Sequence, residues 1–213
     1  MRRPRVLLAD DHRIIAEGLR SLIEPEFELV GIVEDGRALV DAAEQLRPDV
    51  IVADISMPLL NGIEAVRQIR KANRDVRVVF LTMHPDVAYA VSAFEAGALG
   101  YVLKHSAPSE LSVAIRSALR GKKYVTPLLA GEFIEGGKKG SQERHEASSF
   151  LTRRQREVLQ LLAEGRSVKE IASLLDVSTR TAEYHKYQIM KEIGVKTVAE
   201  LVRYAVRHNI VSD

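Results

Sequence analysis

The 213-residue chain contains no cysteine. That absence excludes a disulfide framework, a thiolate zinc site and a cysteine nucleophile, and it suits a reducing compartment, with the cytoplasm as the expected location. Long apolar runs are missing too. No stretch approaches the roughly 20 residues of a membrane span, and no membrane partner is expected. Met1-Arg2-Arg3-Pro4 leads into a short apolar run rather than the core of a signal peptide, so export is not expected. There is no internal repeat, and a net charge of +2 is too small to name a partner by itself. Its distribution says more: residues 1–120 carry 15 Lys/Arg against 17 Asp/Glu, whereas residues 150–213 carry 11 against 8. The basic excess in the second part is modest evidence for a polyanionic partner there.

Hydrophobic residues make up 46% and charged residues 28% of the chain, enough material for packed cores, and the length fits two modest domains. In the first half, four short apolar runs (Arg5 to Ala9, Val50 to Ala53, Val76 to Leu81 and Gly100 to Leu103) are rich in β-branched or aromatic residues, as strands buried on both faces are. Each is closed by a polar residue: Asp10-Asp11, Asp54, Thr82 and Lys104. A further strand, Phe27 to Val33, and helical patterns at Arg13 to Ile23, Arg37 to Leu46, Ile63 to Ala72, Val87 to Ala96 and Pro108 to Leu119 complete an alternation of strand and helix. Parallel strands need crossover connections, so the alternation predicts an α/β fold with a doubly wound five-stranded parallel sheet.

In open α/β sheets the functional crevice lies beyond the carboxyl ends of the strands, where strand order reverses. With the order 2-1-3-4-5, Asp10, Asp11 and Asp54 meet Thr82 and Lys104 there. Clustered carboxylates need a compensating cation, and an all-oxygen ligand set that retains water suits Mg2+. Lys104 adds a second positive charge. With the charge balanced, a carboxylate can attack phosphorus to give an aspartyl phosphate, its oxygens neutralised by metal and lysine.

From Gly121 the composition changes. Residues 122–149 read as a linker between a domain at 1–121 and one at 150–213. Gly131 to Ser149 is its flexible part, with Gly136-Gly137, Lys138-Lys139 and Gly140-Ser141, and Lys122 to Ala130 is a stretch able to pack on the first domain. Beyond it, Thr152/Gln155, Ser167/Glu170 and Thr197/Glu200 have capping-box spacing, Ser178 is a further N-cap, and Gly165 and Gly194 are C-terminal stops. These signals predict four helices at about 153–164, 168–175, 179–193 and 198–208, an all-α domain. The tight Asp176-Val177-Ser178 connection has helix-turn-helix length. On the helix that follows, Arg180, Tyr184, Tyr187 and Lys191 share a face, with Ala182, Ile189 and Ile193 turned inward. A basic, aromatic face suits a DNA groove.

The segments LLADDH (Leu7 to His12), DISMP (from Asp54), Leu60-Asn61-Gly62, LTMH (from Leu81) and GALGYVLK (Gly97 to Lys104) resemble the flavodoxin-like receiver domain of two-component response regulators. LTRRQREVLQLL (Leu151 to Leu162), Val168-Lys-Glu-Ile-Ala and Thr181-Ala-Glu-Tyr-His resemble the LuxR-type helix-turn-helix of the NarL/FixJ subfamily. The resemblance implies a phosphorylation-gated transcriptional regulator rather than an enzyme. By it, Asp54 is the phosphoacceptor, charged by a sensor histidine kinase. Asp10, Asp11 and Asp54 hold Mg2+ together with the backbone carbonyl of Ser56, Thr82 and Lys104 contact the phosphoryl group, and Tyr101 is an aromatic switch coupled to Thr82. The DNA-contacting set is Lys169, Arg180, Thr181, Glu183, Tyr184, Lys186, Tyr187 and Lys191. The implied partners are double-stranded promoter DNA, a second copy of the chain in the active state, and RNA polymerase.

The recognition helix departs from the usual pattern. Where the family often has Thr-Val-Lys-x-His, this chain has Thr181-Ala182-Glu183-Tyr184-His185, and a glutamate there can accept from a cytosine amine while repelling phosphate. His12 is read as solvated and His185 as a helix brace. A phosphohydrolase of the haloacid dehalogenase type would place two aspartates one residue apart after the first strand and carry a cap insertion. Here Asp10 and Asp11 are adjacent and no insertion is long enough. A receiver gated without phosphorylation would be marked by loss of an acidic residue, Thr82 or Lys104, and none is lost.

Overall fold

The computed structural model describes residues 2–136, 151–208 and 210–211, which fall into two compact units with a division between Lys139 and Gly140. The expected linker residues 137–149, with the Lys138-Lys139 pair, lie outside the described residues.

The first unit alternates β1 (Arg5–Ala9), α1 (Arg13–Ile23), β2 (Glu28–Val33), α2 (Gly36–Leu46), β3 (Val50–Ala53), α3 (Gly62–Ala72), β4 (Arg77–Thr82), α4 (Val87–Glu95), β5 (Gly100–Leu103), α5 (Ala107–Leu119), β6 (Tyr124–Val125) and α6 (Pro127–Gly136). The strands form one parallel sheet in the order β2-β1-β3-β4-β5-β6. Successive side chains point to opposite faces of a strand, and two cores result. Leu7, Ala9, Ile51, Ala53, Val78, Phe80, Tyr101 and Leu103 pack under α2, α3 and α4. Val6, Leu8, Val50, Val52, Val79, Leu81 and Val102 pack under α1 and α5. Burial on both faces is why these strands read as unbroken apolar runs.

The sheet has six strands where five were expected. The sixth lies in the segment read as linker. Tyr124–Val125 pairs with Gly100 and Tyr101 of β5, and Thr126 N donates to Tyr101 O at 3.0 Å. The Thr126 hydroxyl, fully buried, accepts from Leu103 N at 3.1 Å and donates to Glu110 Oε2 at 2.8 Å. Leu129 on α6 joins the core beneath α4. Residues 122–136 therefore belong to the first unit. A two-residue strand offers no periodicity, and its pairing depends on the open edge of β5.

The connection from β3 to α3 is tightly folded. Gly62 N donates to Ile55 O at 2.8 Å, and Leu59 takes a left-handed conformation with φ 65°. A Cβ on Gly62 would stand 2.0 Å from the backbone oxygen of Asp54, so only glycine permits this closure.

The second unit holds α7 (Arg153–Ala163), α8 (Val168–Leu174), α9 (Thr179–Ile193) and α10 (Val198–Arg207). All three capping boxes form, Ser178 accepts from Thr181 N at the start of α9, and Gly194, at φ 78°, ends it. Val158, Leu159, Leu161, Leu162, Ile171, Ala182, Ile189, Leu201 and Ala205 form its core. Among the described residues, no helix is long and apolar enough to cross a membrane.

Candidate functional site

The parallel sheet brings the ends of four strands together. Asp54 N donates to Ala9 O at 2.8 Å, which places the residues after β1 and β3 side by side. Lys104, immediately after β5, reaches across, its Nζ 2.7 Å from Asp54 Oδ2 and 2.7 Å from Asp10 Oδ2. Its contact with Asp54 has hydrogen-bond geometry, while that with Asp10 is an ion contact. The other oxygen of Asp54 accepts from Ile55 N at 2.6 Å and Ser56 N at 3.3 Å. Asp10 and Asp54 are both buried and Asp11 is half-buried. Donor atoms of Asp10, Asp11, His12 and Asp54 lie within 4.8 Å of one another.

Two buried carboxylates share one buried ammonium, so with both ionised this trio is one positive charge short. Burial raises the pKa of Asp54, and the neighbouring Asp10 adds to the rise, while Lys104 only partly opposes it. Burial alone would lower Lys104, but two carboxylates outweigh that and hold it above its ordinary value. The two directions agree once the missing charge is counted: the ammonium has two partners and each carboxylate has half of one. The same deficit makes the pocket a fit for a hard divalent cation. The donors are oxygens, and Asp10 Oδ2 and Asp11 Oδ1 are buried without a hydrogen bond.

A second layer surrounds this cluster. Thr82, the last residue of β4, is fully buried, and its hydroxyl accepts from His84 N at 3.2 Å. The His84 ring makes a 2.8 Å hydrogen bond to Ser56 Oγ and stacks on Tyr89 with centroids 4.3 Å apart. Tyr101 is fully buried, and its hydroxyl donates to His84 O at 2.7 Å. Burial pushes the Tyr101 phenol far up, so it stays a neutral donor across the physiological range. Thr82, His84 and Tyr101 thus form one hydrogen-bonded unit beside the carboxylates, joined by His84 to the loop after β3. Sequence reasoning paired Thr82 with Tyr101 but did not single out His84 as the residue that joins them, because the fold of the β4–α4 connection sets it. His12 is largely exposed, with Nδ1 2.9 Å from Asp11 Oδ1.

On the helical unit, Lys169, Arg180, Glu183, Tyr184, Tyr187 and Lys191 are exposed, and Lys186 and Thr181 are half-buried. Tyr184 and Tyr187 present 58% and 66% of their surface, too much for core residues. Thr181 is partly engaged by the helix start, its hydroxyl 2.8 Å from Ser178 Oγ. Ala182 and Ile189 are buried as expected, whereas Ile193 is only half-buried near the end of α9. His185 is half-buried with its ring edge-on to Tyr184. Two braces from α7, one to the end of α8 and one to α9, escaped the sequence reading. Arg154 donates to Leu175 O at 2.8 Å while pairing with buried Glu157, and Gln155 donates to Glu192 at 2.9 Å.

The chain matches the response regulator receiver domain over residues 6–116 and the luxR family of bacterial regulatory proteins over residues 149–205. The transcriptional regulatory protein MctR of Rhizobium johnstonii is 37% identical over 214 residues, spanning 98% of this chain and 95% of the relative. A LuxR-family two-component response regulator from Aurantimonas sp. SI85-9A1 is 40% identical with a TM-score of 0.61, spanning 63% of this chain and 98% of that one. RcsB of Salmonella enterica serovar Typhimurium, solved bound to a promoter in the presence of the phosphomimetic BeF3-, is 29% identical with a TM-score of 0.60, spanning 95% and 98%. A buried carboxylate-lysine cluster at the strand ends of one unit and a helix-turn-helix in the other are joined in a single chain that belongs to the NarL/FixJ response regulators, in which a receiver domain is coupled to a LuxR-type DNA-binding domain.

Proposed function

We propose that this chain is a transcriptional regulator switched by phosphorylation of Asp54, with a sensor histidine kinase as donor and promoter DNA as target. The observation that carries the reading is Lys104 Nζ held 2.7 Å from both Asp10 and Asp54 at the carboxyl end of the sheet. A carboxylate attacks phosphorus only where the repulsion between its charge and the phosphoryl oxygens is offset.

An oxygen of Asp54 forms the new bond to phosphorus as the bond from phosphorus to the donor's imidazole nitrogen breaks, and the imidazole leaves. Lys104 already faces Asp54 and turns its charge onto a phosphoryl oxygen. Mg2+, held by Asp10, Asp11, Asp54 and the Ser56 carbonyl, would supply the remaining positive charge. The Thr82 hydroxyl donates to a phosphoryl oxygen. Its hydroxyl oxygen now accepts from His84 N, so moving it toward the phosphoryl group breaks that bond. Tyr101 grips the carbonyl of the same His84, so the disturbance reaches β5 and its partner β6. A local charge thereby biases a packed two-state element.

Promoter binding then falls to α9, two copies of which in a dimer would read related half-sites. RNA polymerase is a natural further partner for a promoter-bound regulator, and such work belongs in the cytoplasm. The test is DNA binding by the full chain with and without Mg2+ and BeF3-. Binding and dimerisation should strengthen with the phosphomimetic in the wild type and not in Asp54→Ala. Equal responses from both proteins would refute the reading.

A further inference from the structure

Arg180, Glu183, Tyr184 and Tyr187 are spaced i, i+3, i+4 and i+7, which puts all four on one face of α9. All four are exposed, opposite the buried Ala182 and Ile189. Cations and aromatics on such a face suit a polyanion, but a carboxylate does not. The other glutamates among the described residues of the helical unit serve its fold. Glu157 pairs with Arg153 and Arg154, Glu164 accepts from Gln160, Glu192 accepts from Gln155, and Glu170 and Glu200 close capping boxes. Glu183 alone among them makes no hydrogen bond or ion pair with any described residue. Arg180 and Lys186 stand three positions before and after it, at pairing distance in sequence, yet it pairs with neither. Its carboxylate is therefore free for a ligand that donates hydrogen bonds.

In the major groove cytosine presents its N4 amine as a donor. Guanine presents only acceptors, and the donor of adenine sits beside the acceptor N7. An ionised carboxylate accepts only. We propose that Glu183 reads the N4 amine of a cytosine and fixes that base in each half-site. The inference rests on the DNA-binding reading of α9. Repulsion from the phosphates on either side then acts against sites that lack the amine, so one residue supplies both the attraction to the correct base and the penalty on the others.

The test is selection from a randomised duplex library by the full chain with Mg2+ and BeF3-, using the wild type, Glu183→Ala and Glu183→Gln. Both variants should keep the wild-type circular dichroism, since no contact in the fold is lost. The wild type should enrich cytosine at one position of each half-site by about tenfold, equivalent to about 1.4 kcal/mol. Glu183→Ala should lose the preference at that position and keep the others. Glu183→Gln should move it to adenine, because an amide can donate to N7 while accepting from N6. If all three proteins select one consensus and differ only in affinity and salt dependence, Glu183 is an electrostatic brake and the inference fails. If the wild type enriches no sequence at all, the DNA-binding reading fails and takes the inference with it.

Discussion

Lys104→Met removes the ammonium from between two buried carboxylates while keeping an apolar stem of similar length. Donor oxygens of Asp10 and Asp54 lie within 4.8 Å of each other. At an effective dielectric of about 20, two like charges at that separation repel by about 3.5 kcal/mol. This agrees with the roughly 3–5 kcal/mol typical when one partner of a buried pair is removed. For a receiver of this size, about 3 kcal/mol corresponds to a loss of roughly 10 °C in Tm. The assay is differential scanning calorimetry of the full chain in EDTA and across a Mg2+ titration. The receiver transition should fall by that amount in EDTA. Mg2+ should raise it more in the variant than in the wild type, because the ammonium that repels the metal is gone. A variant as stable as the wild type in EDTA, or one that gains nothing extra from Mg2+, would refute the charge-deficit argument.

Other substitutions probe other joints. Gly62→Ala puts a Cβ 2.0 Å from the Asp54 backbone oxygen, so the loop after β3 must shift, with a cost of about 1–3 kcal/mol in urea unfolding and weaker acyl-phosphate labelling. Thr126→Val keeps shape but orphans Leu103 N and the Glu110 contact. A loss of about 1–3 kcal/mol in the receiver transition is expected, and no loss would mean that β6 is not bound to the sheet as described. The capping carboxylates Glu170 and Glu200 are held below the ordinary glutamate range, Glu170 by its bonds with Ser167 and Glu200 by the amides of Lys196 and Thr197. Their contribution is present above the unfolded pKa and lost as pH falls through the depressed one. Glu170→Gln and Glu200→Gln should keep the caps and flatten the acid side of the helical unit's stability profile, read by circular dichroism. An unchanged profile would count against these two groups.

The strand ends were legible because burial on both faces leaves each strand an unbroken apolar run that a polar residue closes, so Asp10, Asp54, Thr82 and Lys104 announce themselves. The caps were legible because they are local, with donor and acceptor three residues apart. What could not be read depends on partners distant in sequence. Tyr124–Val125 becomes a strand only beside β5, and Pro127 with its neighbours becomes α6 over the core under α4. The Ser56–His84–Tyr101 linkage joins residues as far apart as 45 positions through the shape of two loops. In the helical unit the shared face of Arg180, Tyr184, Tyr187 and Lys191 followed from helical spacing, whereas the braces from Arg154 and Gln155 depend on how α7 packs against the end of α8 and against α9.

The most direct test of the central claim is Mg2+-dependent labelling by a small acyl phosphate, read by intact-protein mass for the wild type, Asp54→Ala and Thr82→Ala. The account predicts one phosphoryl group on the wild type, none on Asp54→Ala, and retained labelling without strengthened DNA binding for Thr82→Ala. Labelling that persists in Asp54→Ala, or a folded wild type that takes no label with Mg2+ present, would contradict it.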